Sequence, residues 1–240
     1  MRALRTVPLV LAAMLPCACV LADDKAPDYR YRLTVEVETP GGIKAGSSVI
    51  EVQQTLVRAG SSPANQAVER RVRGEAVAVD LPGGKTLFAL LRSDNDIDWA
   101  SRVFALLAPK RKQAFDDSLD DVLEVKGEQA LPRMWPAVST ISERSAYPTL
   151  VTFTDLAKPE SVAEVDPDDL AATFGEGVKL KRITVELADD PVTTGIENRL
   201  EWLPNYYDKM LDGQRLNNSQ ALANNLSQGS FAEGTIVVAP

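Results

Sequence analysis

Three aspartates at alternate positions form the strongest metal-binding pattern in the chain. Asp94, Asp96 and Asp98 resemble the start of a calcium loop, in which carboxylates coordinate a hard cation. Such a loop requires glycine at its sixth position and glutamate at its twelfth, whereas this chain has Trp99 and Ala105 there. Acidic side chains also stabilise the positive end of a helix that follows them. The sequence therefore favours helix capping over cation binding.

A glycine-rich turn followed by lysine and threonine invites comparison with a phosphate-binding loop. The segment Gly83–Thr86 has the last glycine, the lysine and the threonine of that motif. The motif also needs glycine five positions before Gly84, where this chain has Val79, and a helix after the threonine. Since Leu87–Leu91 is a short apolar run typical of a strand, the pattern predicts a hairpin turn.

Adjacent aspartates recur along the chain and raise the question of carboxylate catalysis. The pairs are Asp116–Asp117, Asp120–Asp121, Asp168–Asp169 and Asp189–Asp190. Two carboxylates across a cleft act as acid and nucleophile on a glycoside when they lie about 5 to 9 Å apart. Neighbours in sequence do not establish that geometry, and such pairs more commonly begin helices or turns.

Two further clusters have a functional and a structural interpretation. Trp202, Tyr206 and Tyr207 could form a sugar-stacking or protein-contact surface, but such residues more often close a core at a helix end. Arg70, Arg71 and Arg73 could bind an anion. On a strand, however, residues 71 and 73 share one face, which is more simply a solvated face.

The composition removes whole classes of enzyme. The chain has no histidine, which excludes Ser-His-Asp and Cys-His catalysis and metal sites that depend on imidazole. Its two cysteines, Cys17 and Cys19, both lie near the N-terminus. Acid–base chemistry would fall to carboxylates, lysines or tyrosines. With every cofactor motif incomplete, we predict no cofactor and no metal, and a function that leans away from catalysis.

Residues 1–22 have the order of a secretory signal peptide. Arg2 and Arg5 form a basic start, Val7–Leu15 is an uncharged, mostly apolar run, and small or aliphatic residues precede Asp23. The apolar run is too short for a membrane span, which needs about 20 residues. The sequence therefore predicts export. Removal of residues 1–22 would change the formal net charge from −8 to −10, so nucleic acid is not an expected partner.

Cys19 leaves a second cleavage site open. Bacterial lipoproteins are cut before an acylated cysteine that follows a small residue, and Ala18 fits this pattern. Pro16 stands where leucine is usual, so the match is partial. Cleavage before Cys19 would tether the protein to the membrane through a lipid, whereas cleavage after Ala22 would release it into the periplasm. Cys19 is thus the candidate lipid attachment site, and a lipid anchor is the only membrane association expected.

Alternation of apolar and polar residues over 29–38 predicts a strand with one buried face. Turns at Pro40–Gly42 and Pro82–Gly84 predict two hairpins. Further strands are predicted at 48–57, 72–81, 87–91, 149–153 and 178–187, and helices at 93–108, 115–125, 160–165, 168–174 and 194–203. These elements predict one α+β domain over 23–240, with a largely antiparallel β-sheet flanked by several short helices. Its polar end, 213–240, is expected to be a loosely ordered tail.

Several segments together resemble a family of small exported bacterial envelope proteins. They are YRYRLTVEVETPGG, GSSVIEV, RGEAVAVDLPGGKTLFALLRSDNDIDWA, GVKLKRITVEL, DPVTTGIENRLEWL and YYDKMLDG, and the resemblance covers residues 29 to about 229. It implies an envelope protein and carries no activity, ligand or site. With the composition, it favours a non-enzymatic module that binds an envelope protein or a small ligand. The alternative is a carboxylate-dependent hydrolase of envelope glycans.

Overall fold

The computed structural model describes residues 26–58, 66–109, 116–137 and 142–236. The predicted signal peptide at 1–22 and the candidate lipid attachment residue Cys19 lie outside these ranges, so both stay predictions. No helix within the described ranges is long and apolar enough to cross a membrane.

Antiparallel strands dominate the described residues, which confirms the predicted α+β class. The strands are β1 Tyr29–Thr39, β2 Gly42–Arg58, β3 Gln66–Glu75, β4 Val77–Leu81, β5 Lys85–Ala89, β6 Gln129–Ala130, β7 Met134–Trp135, β8 Arg144–Ser145, β9 Leu150–Phe153, β10 Val162–Glu164, β11 Lys179–Leu187 and β12 Ala232–Glu233. One sheet has the order β12-β3-β2-β1-β11-β6, a second has β10-β9-β5-β4, and β7 pairs with β8.

The helices are all short. The α-helices are α1 Trp99–Arg102, α2 Leu170–Phe174, α3 Leu222–Asn225 and α4 Gln228–Phe231. Turns of 3₁₀-helix occupy Pro82–Gly84, Ala105–Leu107, Asp116–Glu124, Pro159–Ser161, Ile196–Asn198 and Leu203–Tyr206. They link the strands and cover the sheet faces.

The two predicted hairpins are present. β1 pairs with β2 from Tyr29↔Val52 to Thr39↔Gly42, and its odd-numbered residues from 29 to 37 are buried as the alternation predicts. β4 pairs with β5 across Pro82–Gly84, where Gly83 and Gly84 have positive φ angles of 78° and 72°. Because glycine adopts such angles without a Cβ clash, the motif forms a turn between strands rather than a phosphate loop.

The four-stranded sheet is buried on both faces and separates two cores. Leu87 and Ala89 of β5 face an inner core shared with the six-stranded sheet, whereas Phe88 and Leu90 face an outer core. The outer core is closed by the C-terminal segment, residues 196–232, through side chains such as Leu203 and Phe231. Because both faces of the sheet are buried, Leu87–Leu91 is a continuous apolar run and does not alternate with polar residues.

Several predicted elements differ from the observed ones. The predicted helix at 93–108 reduces to α1 and one 3₁₀ turn, and Ile97, expected on its buried face, is 72% exposed. The helix predicted at 160–165 is a 3₁₀ turn followed by β10, and the strand predicted at 72–81 is divided at Ala76 between β3 and β4. At Ala76 the chain passes from the six-stranded sheet to the four-stranded one, which a local periodicity does not encode.

Residues 222–233 form regular secondary structure and contact the outer core and β3. Within 213–240, where the composition predicts a loosely ordered tail, the structure places α3, α4 and β12. Leu226 and Phe231 are buried in the outer core, and Ala232 pairs with Glu75 of β3. A few apolar residues anchor the segment, chiefly Leu226 and Phe231, whereas Leu216 is exposed.

Glu36 on the solvated face of β1 gives a pH prediction. Hydrogen bonds from Arg182 and Lys181 lower its pKa from 4.5 to about 2. A carboxylate with a lowered pKa stabilises the fold above the unfolded-state pKa and loses that contribution as the pH falls through the folded-state value. We expect Glu36→Gln to reduce the free energy of unfolding by less than about 1 kcal/mol at pH 7, since exposed ion pairs are screened.

Urea unfolding of both proteins across pH 7 to 2 checks this prediction. The difference between them should shrink as the pH falls from about 5 towards 2. Lys158→Gln, which removes an exposed ion pair with Asp155 at 3.4 Å, serves as a control for a general charge effect. A difference that grows on acidification would contradict the assigned role of Glu36.

Candidate functional site

A cleft of about 540 Å³ lies beside β3. Arg70, Arg71 and Val72 of β3 line one side. The segment after β5 contributes Arg92, and the C-terminal segment contributes residues that include Glu233. Segments 70–72, 91–101 and 210–233, which are far apart in the sequence, therefore meet at this site.

Three arginines line the cleft, and each is held differently. Arg70 is half-buried and donates from Nε to Oε1 of Gln54 at 3.1 Å. Arg92 is also half-buried and donates from Nη1 to the main-chain oxygen of Asn225 at 2.9 Å. Arg71 is exposed. Within the described residues, none of the three forms an ion pair with a carboxylate.

The electrostatics of the cleft favour an anion. Burial lowers the pKa of Arg92, an effect that the nearby Asp94 carboxylate opposes. An additional negative charge beside this partly desolvated guanidinium would stabilise its charged form. Two carboxylates also line the cleft, but Asp98 is already paired with Arg102 Nη2 at 2.8 Å.

Glu233 is the second of these carboxylates, and its environment favours the neutral acid. Desolvation by the surrounding protein raises its pKa, and Asp98 raises it further.

The wall formed by residues 97–101 is fixed by three long-range hydrogen bonds. The Tyr31 hydroxyl donates to the Ala100 oxygen at 2.7 Å, and Trp99 Nε1 donates to the Ala146 oxygen at 3.0 Å. The Ala100 N–H donates to the Leu91 oxygen at 3.2 Å. These bonds tie α1 to the inner core, while Ile97 remains exposed at the rim of the cleft.

The opposite wall depends on Asn224, a fully buried polar residue. Its Oδ1 accepts the main-chain N–H groups of Asn218 and Ser219, both at 2.8 Å. Its Nδ2 donates to Asp212 Oδ2 at 2.7 Å and to the Leu216 oxygen at 3.2 Å. One side chain thus closes the loop 212–224, and the next residue, Asn225, accepts the hydrogen bond from Arg92.

We expect Asn224→Ala to cost about 2–3 kcal/mol of folding free energy, because it removes four hydrogen bonds and leaves buried groups without partners. Urea unfolding measures the loss, and hydrogen exchange should show lower protection for the amides of 212–225. Asn218→Ala is the matched control, since its side chain is exposed and the change should stay within about 0.5 kcal/mol. Equal losses for the two variants would contradict the role of Asn224.

The three aspartates at 94, 96 and 98 each bind another side chain in the structure. Asp94 Oδ1 accepts from the Thr149 hydroxyl at 2.6 Å, while Asp96 and Asp98 pair with Arg102. The predicted capping role is wrong for Asp98, which precedes α1 but makes no side-chain capping bond. No group of three or more acidic or other metal-ligating side chains in the described residues could hold a metal ion.

The paired acids have structural roles where their contacts are described. Asp169 caps α2 by accepting the Ala172 N–H, and Asp168 pairs with Arg133 at 3.0 Å. Asp190 pairs with Arg32 at 2.5 Å. The side chains of Asp116 and Asp117 lie outside the described part of the chain.

The aromatic cluster mainly closes the outer core. Trp202 packs edge-on against Phe153 at 5.7 Å between ring centroids and against Tyr206 at 5.3 Å, whereas Tyr207 is exposed. The groove beside Trp202 is lined by one carboxylate within the described residues, Glu201. The pair that a hydrolase would need is therefore not found at that position.

Only part of the candidate arginine cluster lies at the cleft. Arg70 and Arg71 line the cleft, whereas Arg73 donates to the Gly234 oxygen at 3.2 Å. The sequence patterns did not identify Arg92, or the wall that contains Asn225, as part of this site. Nothing local marks Arg92, because its approach to β3 depends on how the two sheets are stacked.

The chain was compared with family models, curated proteins and solved structures, and none of them matches it. The resemblance to a family of exported envelope proteins therefore stays a prediction.

Proposed function

We propose that this chain is an exported bacterial envelope protein that acts as a non-enzymatic binding module, with the cleft beside β3 as its site for an anionic ligand. The single observation that carries the proposal is the convergence of Arg70, Arg71 and Arg92 on one cleft, without a carboxylate partner in the described residues. Arginine is the side chain best suited to carboxylate and phosphate groups, because its planar fork donates two parallel hydrogen bonds.

Three arginines at one cleft are more informative because the chain as a whole is acidic. The chain has 34 acidic and 26 basic residues, so a non-specific basic surface is not expected. Its arginines elsewhere commonly bind carboxylates, as Arg199 does with both oxygens of Asp80 at 2.6 and 2.9 Å. The leader at 1–22 supports a location in the periplasm or, if Cys19 is acylated, on the envelope membrane.

Site-specific photocrosslinking in the producing cell tests the proposal. A photoreactive residue placed at Ile97, at the rim of the cleft, should give a crosslinked adduct, whereas one at the exposed Tyr207 should give none. The adduct should weaken at least fivefold when Arg71→Gln and Arg92→Gln are combined. Equal adducts at both positions, or no effect of the arginine variants, would contradict the assignment.

Location is tested separately by mass spectrometry of the mature N-terminus. An acylated Cys19 would establish a lipid anchor, and a chain that begins at Asp23 would establish release after signal cleavage. Recovery of the intact chain with Met1 would overturn export.

A carboxylate-dependent hydrolase of envelope glycans is the second candidate, because Glu233 and Asp98 line the same cleft and Glu233 has a raised pKa. Two carboxyl groups at one cleft, one of them with a raised pKa, are the side chains that an acid and a nucleophile would require. In this case Glu233→Gln should reduce hydrolysis of peptidoglycan fragments at least about 100-fold. Glu201→Gln, in the groove beside Trp202, is the control. No hydrolysis by the unaltered protein would remove this candidate.

A further inference from the structure

The cleft follows the edge of a strand, not one of its faces. Arg70, Arg71 and Val72 are consecutive in β3, and all three line it. Because successive side chains of a strand point to opposite faces, a cavity that reaches three in a row must run along the edge between those faces.

This edge of β3 lacks a neighbouring strand in the described structure. On one side, β2 pairs with β3 along its length, from Arg58↔Gln66 to Glu51↔Arg73. On the other side, β12 pairs only with Gly74 and Glu75. Strand pairing on this side therefore covers two residues, and Gly234 still lies beside Arg73 and the Val72 oxygen at the start of the cleft.

The antiparallel ladder fixes which main-chain groups face the cleft. The Ala76 N–H donates to the Phe231 oxygen at 2.7 Å, on the side of β12. Since alternate residues of a strand direct their N–H and C=O groups to the same side, those of Val72 and Arg70 point away from β2. No hydrogen bond joins these groups on that side to another described residue.

We propose that an extended peptide with acidic side chains binds this cleft by adding a strand to the edge of β3. This inference rests on the proposed function and names the class of partner. Main-chain bonds to Val72 and Arg70 would align the peptide. Its alternate carboxylates, which share one face, would pair with the guanidinium groups of Arg71 and Arg92. Strand residues rise about 3.3 Å each, so the segment 70–72 spans about 10 Å and would pair with about three residues of a peptide.

The positive charge of the arginines favours an acidic peptide over a second copy of this chain as the strand added to β3. A second β3 placed along the same edge would bring its own Arg70, Arg71 and Arg73 against these arginines. Like charges across a pair of strands are destabilising, and charged residues on an edge commonly prevent self-association. The same arginines attract a strand in which glutamate or aspartate alternates with apolar residues. The exposed Ile97 offers those apolar residues a contact.

The test uses the full chain and a fluorescent hexapeptide with blocked ends, in which glutamate alternates with valine. We expect binding by fluorescence anisotropy that is at least tenfold weaker for the glutamine analogue and for an analogue with alternate main-chain nitrogens methylated. In the protein, Arg71→Gln or Arg92→Gln should weaken binding at least fivefold. Lys179→Gln is the matched control, because it removes an exposed positive charge from β11 and should leave binding unchanged.

The controls separate this inference from the proposed function. Equal binding of the methylated and unmethylated peptides would overturn strand addition but keep an anion site. Binding of citrate or inorganic phosphate without binding of the peptide would do the same. If neither the peptide nor the small anions bind, both the strand addition and the anion-binding function are wrong.

Discussion

Replacement of Phe231 by alanine should destabilise the protein by about 3–5 kcal/mol, the range for a large aromatic side chain lost from a core. Phe231 is fully buried and touches three other rings: Phe88, Phe153 and Trp202, with centroid distances of 6.1, 5.8 and 6.2 Å. These contacts attach the end of the chain to the outer face of the four-stranded sheet. The loss is a large fraction of the 5–15 kcal/mol that stabilises a typical domain.

Thermal and urea unfolding measure this effect. For a chain of this size, each kcal/mol corresponds to a shift of about 2–4 °C in Tm, so Phe231→Ala should lower Tm by roughly 6–20 °C. Phe231→Leu should cost less, because it keeps much of the buried volume. Tyr207→Ala, at a residue that is 62% exposed, should stay within about 0.5 kcal/mol. Similar losses for Phe231→Ala and Tyr207→Ala would refute the role of the outer core.

The same substitution connects the core to the cleft. Phe231 lies between Ser230 and Glu233, both of which line the cleft, and its own main chain accepts the Ala76 N–H beside β3. Loosening of this segment should therefore weaken peptide binding, although Phe231 itself does not line the cleft. Binding that survives while the C-terminal segment is released would place the ligand elsewhere.

Patterns in the sequence predict the elements whose order depends on near neighbours. The alternation over 29–38 gives β1, and Pro82–Gly84 gives the turn between β4 and β5. Both depend on local preferences, namely a period of two residues and glycine at positive φ. These preferences operate wherever the segment lies in the fold.

Contacts between residues far apart in the sequence explain why the helix predicted at 194–203 is not observed. The sequence predicts one helix over 194–203, and Ile196, Leu200 and Leu203 within it are buried. The main chain instead makes two separate 3₁₀ turns. Its start is held by the Glu75 carboxylate, which accepts the N–H groups of Gly195 and Ile196 at 3.1 and 2.9 Å. A partner 120 residues away along the chain is invisible to periodicity.

The candidate site likewise combines residues that the sequence reveals with contacts that only the fold creates. Three arginines at 70, 71 and 73 are visible in the sequence, but the composition cannot say which of them meet Arg92. That meeting depends on the stacking of two sheets and on a C-terminal wall organised by Asn224. Because asparagine and serine also dominate flexible segments, composition alone predicts disorder where this loop is closed by hydrogen bonds.

Gly46 carries the second large prediction, because it lies where β2 and β4 approach most closely. A Cβ atom at Gly46 would lie 2.2 Å from the Ala78 oxygen and 2.9 Å from its carbonyl carbon. Both are main-chain atoms, so no side-chain rotation relieves the clash. The two strands would have to separate, which would disturb the inner core on both sides. We expect Gly46→Ala to cost about 3 kcal/mol, the upper part of the range for overpacked sites.

Gly41→Ala separates this effect from the general consequence of adding a methyl group. Gly41 precedes the same strand, lacks a positive φ, and its Cβ would meet only Thr39 Oγ1 at 3.8 Å, an ordinary contact. Its replacement should change the unfolding free energy by no more than about 0.5 kcal/mol. The sequence predicts this strand over 48–57, whereas β2 begins at Gly42. Glycine is required at position 46 because only a residue without a side chain lets β4 approach. If Gly46→Ala unfolds at the same urea concentration as Gly41→Ala, the close packing of β2 against β4 is wrong.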